Sequence, residues 1–429
     1  MADKEELPGY TARSPTSTST GVYRTEHKYS LDSKGRPWLF NFLKSRAPKE
    51  ASLPFFMQGD TVAGRVELDL DKSESFKSIS VAIQAGATAV GQEEQLFLNI
   101  SQDLWPSAND KSGKLAKGKY SWLFTFTLPT KVQPVDAKGL DIDAPPNFTE
   151  RASPAYIDYR VVVTAKRGAF KVNQTLTTSF AYVPLTQPEP PSPLRQLAYK
   201  EGSSLIGPEG DPAGWKILPP VKFKGKLFDA KEVELECTLA IATPLAFVIG
   251  SPMPLEITLK GTDEQALDTL SAPQVIKLHL VRAIALGSDA MEDKAASERR
   301  SNTVFQSGVS QGYFWPSTEG AKEAGKRSMR GELEVKRGIK PSFEFPRFTV
   351  RYTLELMPFS ITGFTSLGTE PGKAILSEPV KIMTKQIPGI VPRSYAPPGY
   401  EKPQENDYNS AVGYLENGNQ RFYHHGGFA

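Results

Sequence analysis

At 429 residues, with 39% hydrophobic and 23% charged residues, the chain is long enough for two or three domains with full-sized cores and too apolar to be disordered throughout. Its 51 basic and 48 acidic residues leave a formal net charge of +3, too small for a general nucleic-acid or membrane electrostatic footprint. Met1-Ala2-Asp3-Lys4-Glu5-Glu6 is charged rather than signal-like, and no stretch approaches the ~18 apolar residues of a membrane span, so a cytoplasmic protein is expected and the sequons headed by Asn99, Asn147 and Asn173 are incidental.

Residues 1–26 form a polar arm that carries Leu7-Pro8-Gly9-Tyr10 and the run Ser14-Pro15-Thr16-Ser17-Thr18-Ser19-Thr20. Such a composition buries too little apolar area to offset ordering, and the arm is expected to be disordered. Ser14 and its neighbours are candidate phosphorylation sites. From 27 to 183 strand signals follow closely: Trp38 to Leu43, Val62 to Leu70, Ile79 to Ile83, Leu96 to Ile100, Tyr120 to Leu128, Ile157 to Ala165 and Leu176 to Tyr182. Tyr120, Trp122, Phe124, Phe126 and Leu128 fall on one face of their strand, as do Ile157, Tyr159, Val161 and Val163. Helical periodicity is nearly absent, which predicts a β-sandwich. Residues 184–232 are dense in Pro and Gly and read as a linker. A second sandwich is expected over 233–385, with Val233 to Ile241, Leu255 to Leu259, Ile276 to Leu286, Leu333 to Val335, Phe348 to Leu356 and Leu376 to Ile382 as strands. Within it, 287–330 reads as a long solvated insertion carrying Lys294, Arg299, Arg300, Lys322, Lys326, Arg327 and Arg330. Residues 386–429 read as a second disordered tail.

The halves are linked by an internal echo. Phe56 to Leu68 (Phe-Met-Gln-Gly-Asp-Thr-Val-Ala-Gly-Arg-Val-Glu-Leu) returns in relaxed form from Phe247 to Leu259, with a turn glycine at Gly59 and Gly250 and alternation at Gly64, Val66, Leu68 against Leu255, Ile257, Leu259. Ile157-Asp158-Tyr159 and Val350-Arg351-Tyr352 lie at nearly equal distances after these turns. The fold class is therefore all-β, two similar sandwiches in tandem. Arg160 and Arg351 hold matching places and are read as outward-facing strand residues, with an interdomain polar contact as the alternative.

Enzyme chemistry finds little material. The histidines are His27, His279, His424 and His425, and His279 is read as a surface residue on the less apolar side of its strand. The single cysteine, Cys237, sits on the apolar side of Val233, Leu235, Leu239 and Ile241, as a core residue would. No Walker loop or dinucleotide fingerprint is present. The chain is expected to be no enzyme and to need no cofactor or metal.

The tail carries Ala396-Pro397-Pro398-Gly399-Tyr400, a PPxY motif. Consecutive prolines pre-set a polyproline II backbone that an aromatic groove of the WW type can grip while the tyrosine fills an adjacent pocket. Leu7-Pro8-Gly9-Tyr10 is a weaker relative in the first arm, and two motifs engaging a partner with several WW domains would add avidity.

The stretch at Phe56 to Leu68, the Tyr-x-Trp-x-Phe-x-Phe-x-Leu-Pro stretch at Tyr120 to Pro129, the Ile157-Asp158-Tyr159 strand and the C-terminal PPxY together resemble the α-arrestins, the arrestin-related trafficking adaptors, of fungal type, over roughly residues 27 to 400. The resemblance implies two immunoglobulin-like β-sandwich domains in the arrestin fold. It also implies an adaptor that recruits a HECT-type ubiquitin ligase through WW domains to a plasma-membrane transporter or receptor cargo, for ubiquitination and endocytic trafficking. The ligase-binding residues it implies are Pro397, Pro398 and Tyr400, with Leu7, Pro8 and Tyr10 auxiliary. A cytoplasmic protein recruited to plasma membrane and endosomes follows, with peripheral membrane association through cargo or through the basic insertion. Two rivals stand beside this reading: a lipid- or ligand-binding β-sandwich protein, and a sorting-coat subunit of similar fold. In the second half Ser251-Pro252 replaces the acidic residue of the family pattern after Gly250.

Overall fold

The computed structural model describes residues 25–89, 93–105, 113–137, 139–150, 153, 155–168, 171–288, 290–291, 303–317, 322–370, 372–398, 400, 415–417 and 420–422. The main strands of the first half are β1 (Thr25–Ser33), β2 (Arg36–Ser45), β3 (Phe55–Met57), β4 (Thr61–Leu70), β5 (Glu74–Ala89), β6 (Gln95–Trp105), β7 (Gly118–Thr127), β8 (Ala155–Arg167) and β9 (Gln174–Val183). They form two layers, β1-β2-β4-β7 and β3-β9-β8-β5-β6. The alternation seen in sequence is the cause: Ile157, Tyr159, Val161, Val163 and Ala165 of β8 are buried against Val62, Val66, Leu68 and Phe124 in one continuous core. Sequence pattern missed β1, whose Thr-Glu-His-Lys-Tyr-Ser-Leu-Asp-Ser is largely polar because it is an edge strand paired only with β2.

The two echoing stretches adopt one geometry. β3 runs parallel to β9 and opens a turn in which Gln58 N–H donates to Val183 O (3.0 Å) and Asp60 N–H to Met57 O (2.9 Å), with Gly59 at φ +84. In the second half β12 (Ala246–Val248) runs parallel to β18 (Leu376–Met383). There Ile249 N–H donates to Met383 O (3.0 Å), Ser251 N–H to Val248 O (3.0 Å), and Gly250 sits at φ +82. A positive φ is open to glycine without the Cβ clash of other residues, which explains its presence in both turns. β4 and β13 (Pro252–Gly261) then leave the turns as core strands. Tyr159 and Tyr352 also match: each buried phenol donates to an upstream carbonyl, Pro145 O at 2.6 Å and Lys340 O at 2.5 Å.

The other main strands of the second half are β10 (Val221–Leu227), β11 (Lys231–Ala242), β14 (Leu278–Leu286), β15 (Thr303–Pro316), β16 (Lys326–Glu334) and β17 (Phe348–Leu356). Three local expectations change here. First, 184–232 is not bare linker: it holds helix α1 (Pro193–Glu201) and β10, which pairs with β11. Second, most of the described residues of 287–330 are sheet. β15 pairs with β14 through Thr303–Gln311 and with β16 through Gly312–Pro316, so this one strand joins the two layers. Its polar Gln, Ser and Gly residues hid it from a hydrophobicity reading, because a partner strand along each part of it satisfies its backbone whatever its side chains are. Arg327 is likewise held, with Glu264 at 2.6 Å and Asp268 at 2.7 Å, while Lys294, Arg299 and Arg300 lie outside the described residues. Third, His279 is no surface residue: at 3% exposure it lies on β14, between β17 and β15, so neighbours cover it on both sides. Cys237 is buried, and burial pushes its thiol up to about 12.

The halves meet through aromatic rings and charge pairs. Phe97 packs on Phe345 and Phe148 on Phe348, both with ring centroids 4.9 Å apart. Arg282 pairs with Glu150 and Arg347 with Asp136, each at 2.7 Å. Arg160 instead grips Glu94 of its own half with two contacts of 2.7 and 2.6 Å. Arg351 lines a cavity of about 710 Å³ between the halves, as do Asp141 and Asp143.

Candidate functional site

The proline–tyrosine motif does not hang free. Its seat begins with α1, whose local sequence dictates its ends: Ser192 caps it by accepting from Arg195 N–H (3.2 Å), Pro193 fills the first turn, where no N–H is needed, and Gly202 closes it at φ +72. Arg195 is buried and anchors the helix by donating to Thr243 O (2.8 Å) and to Gly214 O, with its guanidinium over the Trp215 ring. Burial pulls the Arg195 guanidinium down from its ordinary value. Ser192 Oγ donates to Asp211 Oδ2 (2.5 Å), and Asp211 accepts from Gly214 N–H, which fixes the loop beneath.

Fixed this way, α1 presents Tyr199, whose ring stacks on Tyr395 at 6.2 Å, with Ala198, Leu205 and Ile390 completing a small satellite core. Burial raises the Tyr199 phenol to about 12. Next along the segment, the Glu332 carboxylate of β16 accepts two bonds: from Ser394 Oγ at 2.5 Å and from Tyr395 N–H at 3.0 Å. Glu332 is only 8% exposed, and bonds to a charged acceptor are the strong ones. The segment then turns, with Tyr400 N–H donating to Pro397 O at 3.0 Å. The Tyr400 phenol donates to Phe314 O at 3.0 Å, and its ring meets Trp315 edge-on at 5.5 Å. Burial, and after it the Glu332 charge, raise the Tyr400 phenol above its usual value.

Residues 386–398 and Tyr400 thus lie on the body of the second half, where a disordered tail was expected. The cause is legible in β15: Tyr313-Phe314-Trp315 are three consecutive aromatics, all buried, so both sheet faces need cover at this point. Phe314 fills the core, while Trp315 faces the segment. Pro397 and Pro398 are exposed and Tyr400 is half-buried. Gly399, and Leu7, Pro8 and Tyr10 with the Ser14 region, lie outside the described residues. Motif reasoning did not find Ser394, Tyr395, Glu332 or Tyr199. The capping signal at Ser192-Pro193 was available for α1; nothing in the sequence marks Glu332 as its neighbour.

Among the described residues no group of three or more His, Cys, Asp and Glu could hold a metal ion, and no helix is long and apolar enough to cross a membrane. The family model described as arrestin (or S-antigen), N-terminal domain, matches residues 88–187. That span takes in β6 to β9, so part of the first half is similar to an arrestin N-terminal domain, in agreement with its sheet-rich two-layered fold. No curated protein matches the chain.

Proposed function

We propose that the chain is an α-arrestin-like adaptor of fungal type, whose Pro397, Pro398 and Tyr400 recruit a WW-domain ubiquitin ligase of the HECT type while the two sandwiches engage a membrane transporter or receptor. The observation that carries the reading is a PPxY motif whose two prolines are exposed, on a body whose first half is similar to an arrestin N-terminal domain over residues 88–187. Proline rings fixed in advance lower the ordering entropy that a groove must overcome, and the ligase then supplies the chemistry the adaptor lacks. Leu7, Pro8 and Tyr10 serve as an auxiliary motif in this reading. Cargo brings the otherwise cytoplasmic protein to plasma membrane and endosomes.

Binding of anionic lipid through the basic residues of 287–330 is less favoured. Arg327 and Lys322 are paired with Asp268, and Lys326 lies near Glu209 and Glu323, which leaves little of their charge for a headgroup. The test is capture of the full chain by an array of WW domains. Wild type is expected to be retained and Tyr400→Ala to lose at least about tenfold in affinity, the effect of removing an anchor side chain. Equal capture of both forms, or of neither, would sink the reading.

A further inference from the structure

We propose that the body masks Tyr400, that the Glu332 carboxylate is the latch of this mask, and that Ser394 is the modification site at which a phosphoryl group opens it. The proposal rests on the reading of Pro397, Pro398 and Tyr400 as a ligase-docking motif. A groove that reads such a motif must take the tyrosine side chain. Here that side chain is already engaged: the phenol donates to Phe314 O at 3.0 Å and the ring lies against Trp315. The backbone is committed as well, because Tyr400 N–H closes a turn onto Pro397 O at 3.0 Å, whereas the groove needs an extended proline pair leading into the tyrosine. The exposed prolines therefore offer only half a motif. The affinity seen by a partner falls by the fraction of chains in which Tyr400 is undocked.

The seat is short and hinges on one side chain. Glu332 holds the chain just before the motif with two bonds, from Ser394 Oγ (2.5 Å) and Tyr395 N–H (3.0 Å), and the Tyr395 ring is stacked on Tyr199. Ser394 itself is exposed, so a modifying enzyme can reach it, while the carboxylate it touches is largely buried. In phosphorylation, Ser394 Oγ forms a bond to the γ-phosphorus of a nucleoside triphosphate, the bond from that phosphorus to the diphosphate breaks, and the hydroxyl proton leaves to a base on the kinase. The product has lost the hydrogen that Glu332 accepted and carries about −1.5 to −2 charges against a carboxylate. Donor loss and like-charge repulsion act on the same contact, and Tyr395 and Tyr400 leave the body with it.

The experiment compares one isolated WW domain binding to four ligands: the wild-type chain, the chain with phosphoserine installed at position 394, the Ser394→Glu chain, and a synthetic peptide covering residues 390–404. In parallel, amide hydrogen exchange of the three chains is followed without any WW domain. The peptide and the phosphoserine chain are expected to bind about tenfold more tightly than wild type, with Ser394→Glu in between, from the loss of charge-assisted bonds. Exchange at the Tyr395 and Tyr400 amides is expected to accelerate by a similar factor, while that of β8 stays unchanged. A wild-type chain that binds as tightly as the peptide, or amides whose exchange ignores phosphoserine, overturns the mask and leaves the ligase reading standing. A peptide that binds no WW domain overturns both.

Discussion

At Gly59 the turn into β4 is closed by a carboxylate, and at Gly250 the matching turn into β13 is closed by a hydroxyl. Asp60 accepts from Met57 N–H at 2.8 Å and from the Arg46 guanidinium at 2.5 and 2.6 Å. Ser251 Oγ instead donates to Val248 O at 2.7 Å, and the second turn gains a backbone bond from Gly250 N–H to Val335 O, also 2.7 Å. The backbone bonds common to both turns keep the glycine in its positive-φ conformation, so the side chain that follows is free to vary. Core volume varies in the same way. In the first half Gly64 faces Phe124 of β7, and a Cβ there would lie 2.1 Å from Phe42 O and 2.7 Å from the Phe124 ring. In the second half the matching residue is Leu255. Its partner across the pair is now the glycine, Gly331, with Phe314 packed over it. An aromatic ring over a glycine is kept, but it has moved one strand along. Ladder geometry fixes the plan, and side-chain volume only has to sum correctly across neighbouring strands.

Three measurements can break that comparison. The largest effect is expected from writing the second arrangement into the first: Gly64→Leu should destabilise by at least about 3 kcal/mol, because Phe42 O is backbone and cannot move aside cheaply. Adding Phe124→Gly should leave the double variant more stable than the sum of the two single losses by about 1 kcal/mol or more, read from denaturant unfolding. Strict additivity would mean that the two positions do not share a volume. A middle-sized effect separates the turns. Asp60→Ala leaves Arg46 without its carboxylate and should cost about 2 kcal/mol, while Ser251→Ala removes one neutral bond at about 1 kcal/mol. Equal losses would show that the charge pair adds nothing beyond a hydroxyl.

The smallest difference at neutral pH concerns the paired phenols. Tyr159→Phe and Tyr352→Phe should each cost about 1 kcal/mol, one buried hydrogen bond apiece. Burial holds both phenols well above 10 in the folded chain, and raises Tyr182 to about 12. Above about pH 10 the unfolded chain therefore carries fewer protons than the folded one. The stability these groups contribute is full below that pH and falls as pH rises toward 12, by about 1.4 kcal/mol per unit for each group. Unfolding midpoints measured from pH 8 to 11.5 should fall less steeply in either Phe variant. An unchanged slope in Tyr352→Phe alone would mean that only the first half keeps its phenol neutral.

Amino-acid order alone determined the two-sandwich plan, the matched turns at Gly59 and Gly250, the matched tyrosines and the burial of Cys237. Alternation and positive-φ glycine are local properties, and each has the same meaning wherever the strand is placed. It did not determine how β15 crosses between layers or that His279 is buried, since polar residues in a strand look solvated until neighbours on both sides are known. The candidate site divides along the same line. Pro397, Pro398 and Tyr400 are legible as a motif because their chemistry is contiguous. Their docking is not, because it brings Tyr199 of α1, Phe314 and Trp315 of β15 and Glu332 of β16 to one place from distant parts of the chain. Sequence wrote the motif; only the tertiary structure decided that its tyrosine is held, since a carbonyl and a carboxylate acquire that role by being brought within hydrogen-bonding distance.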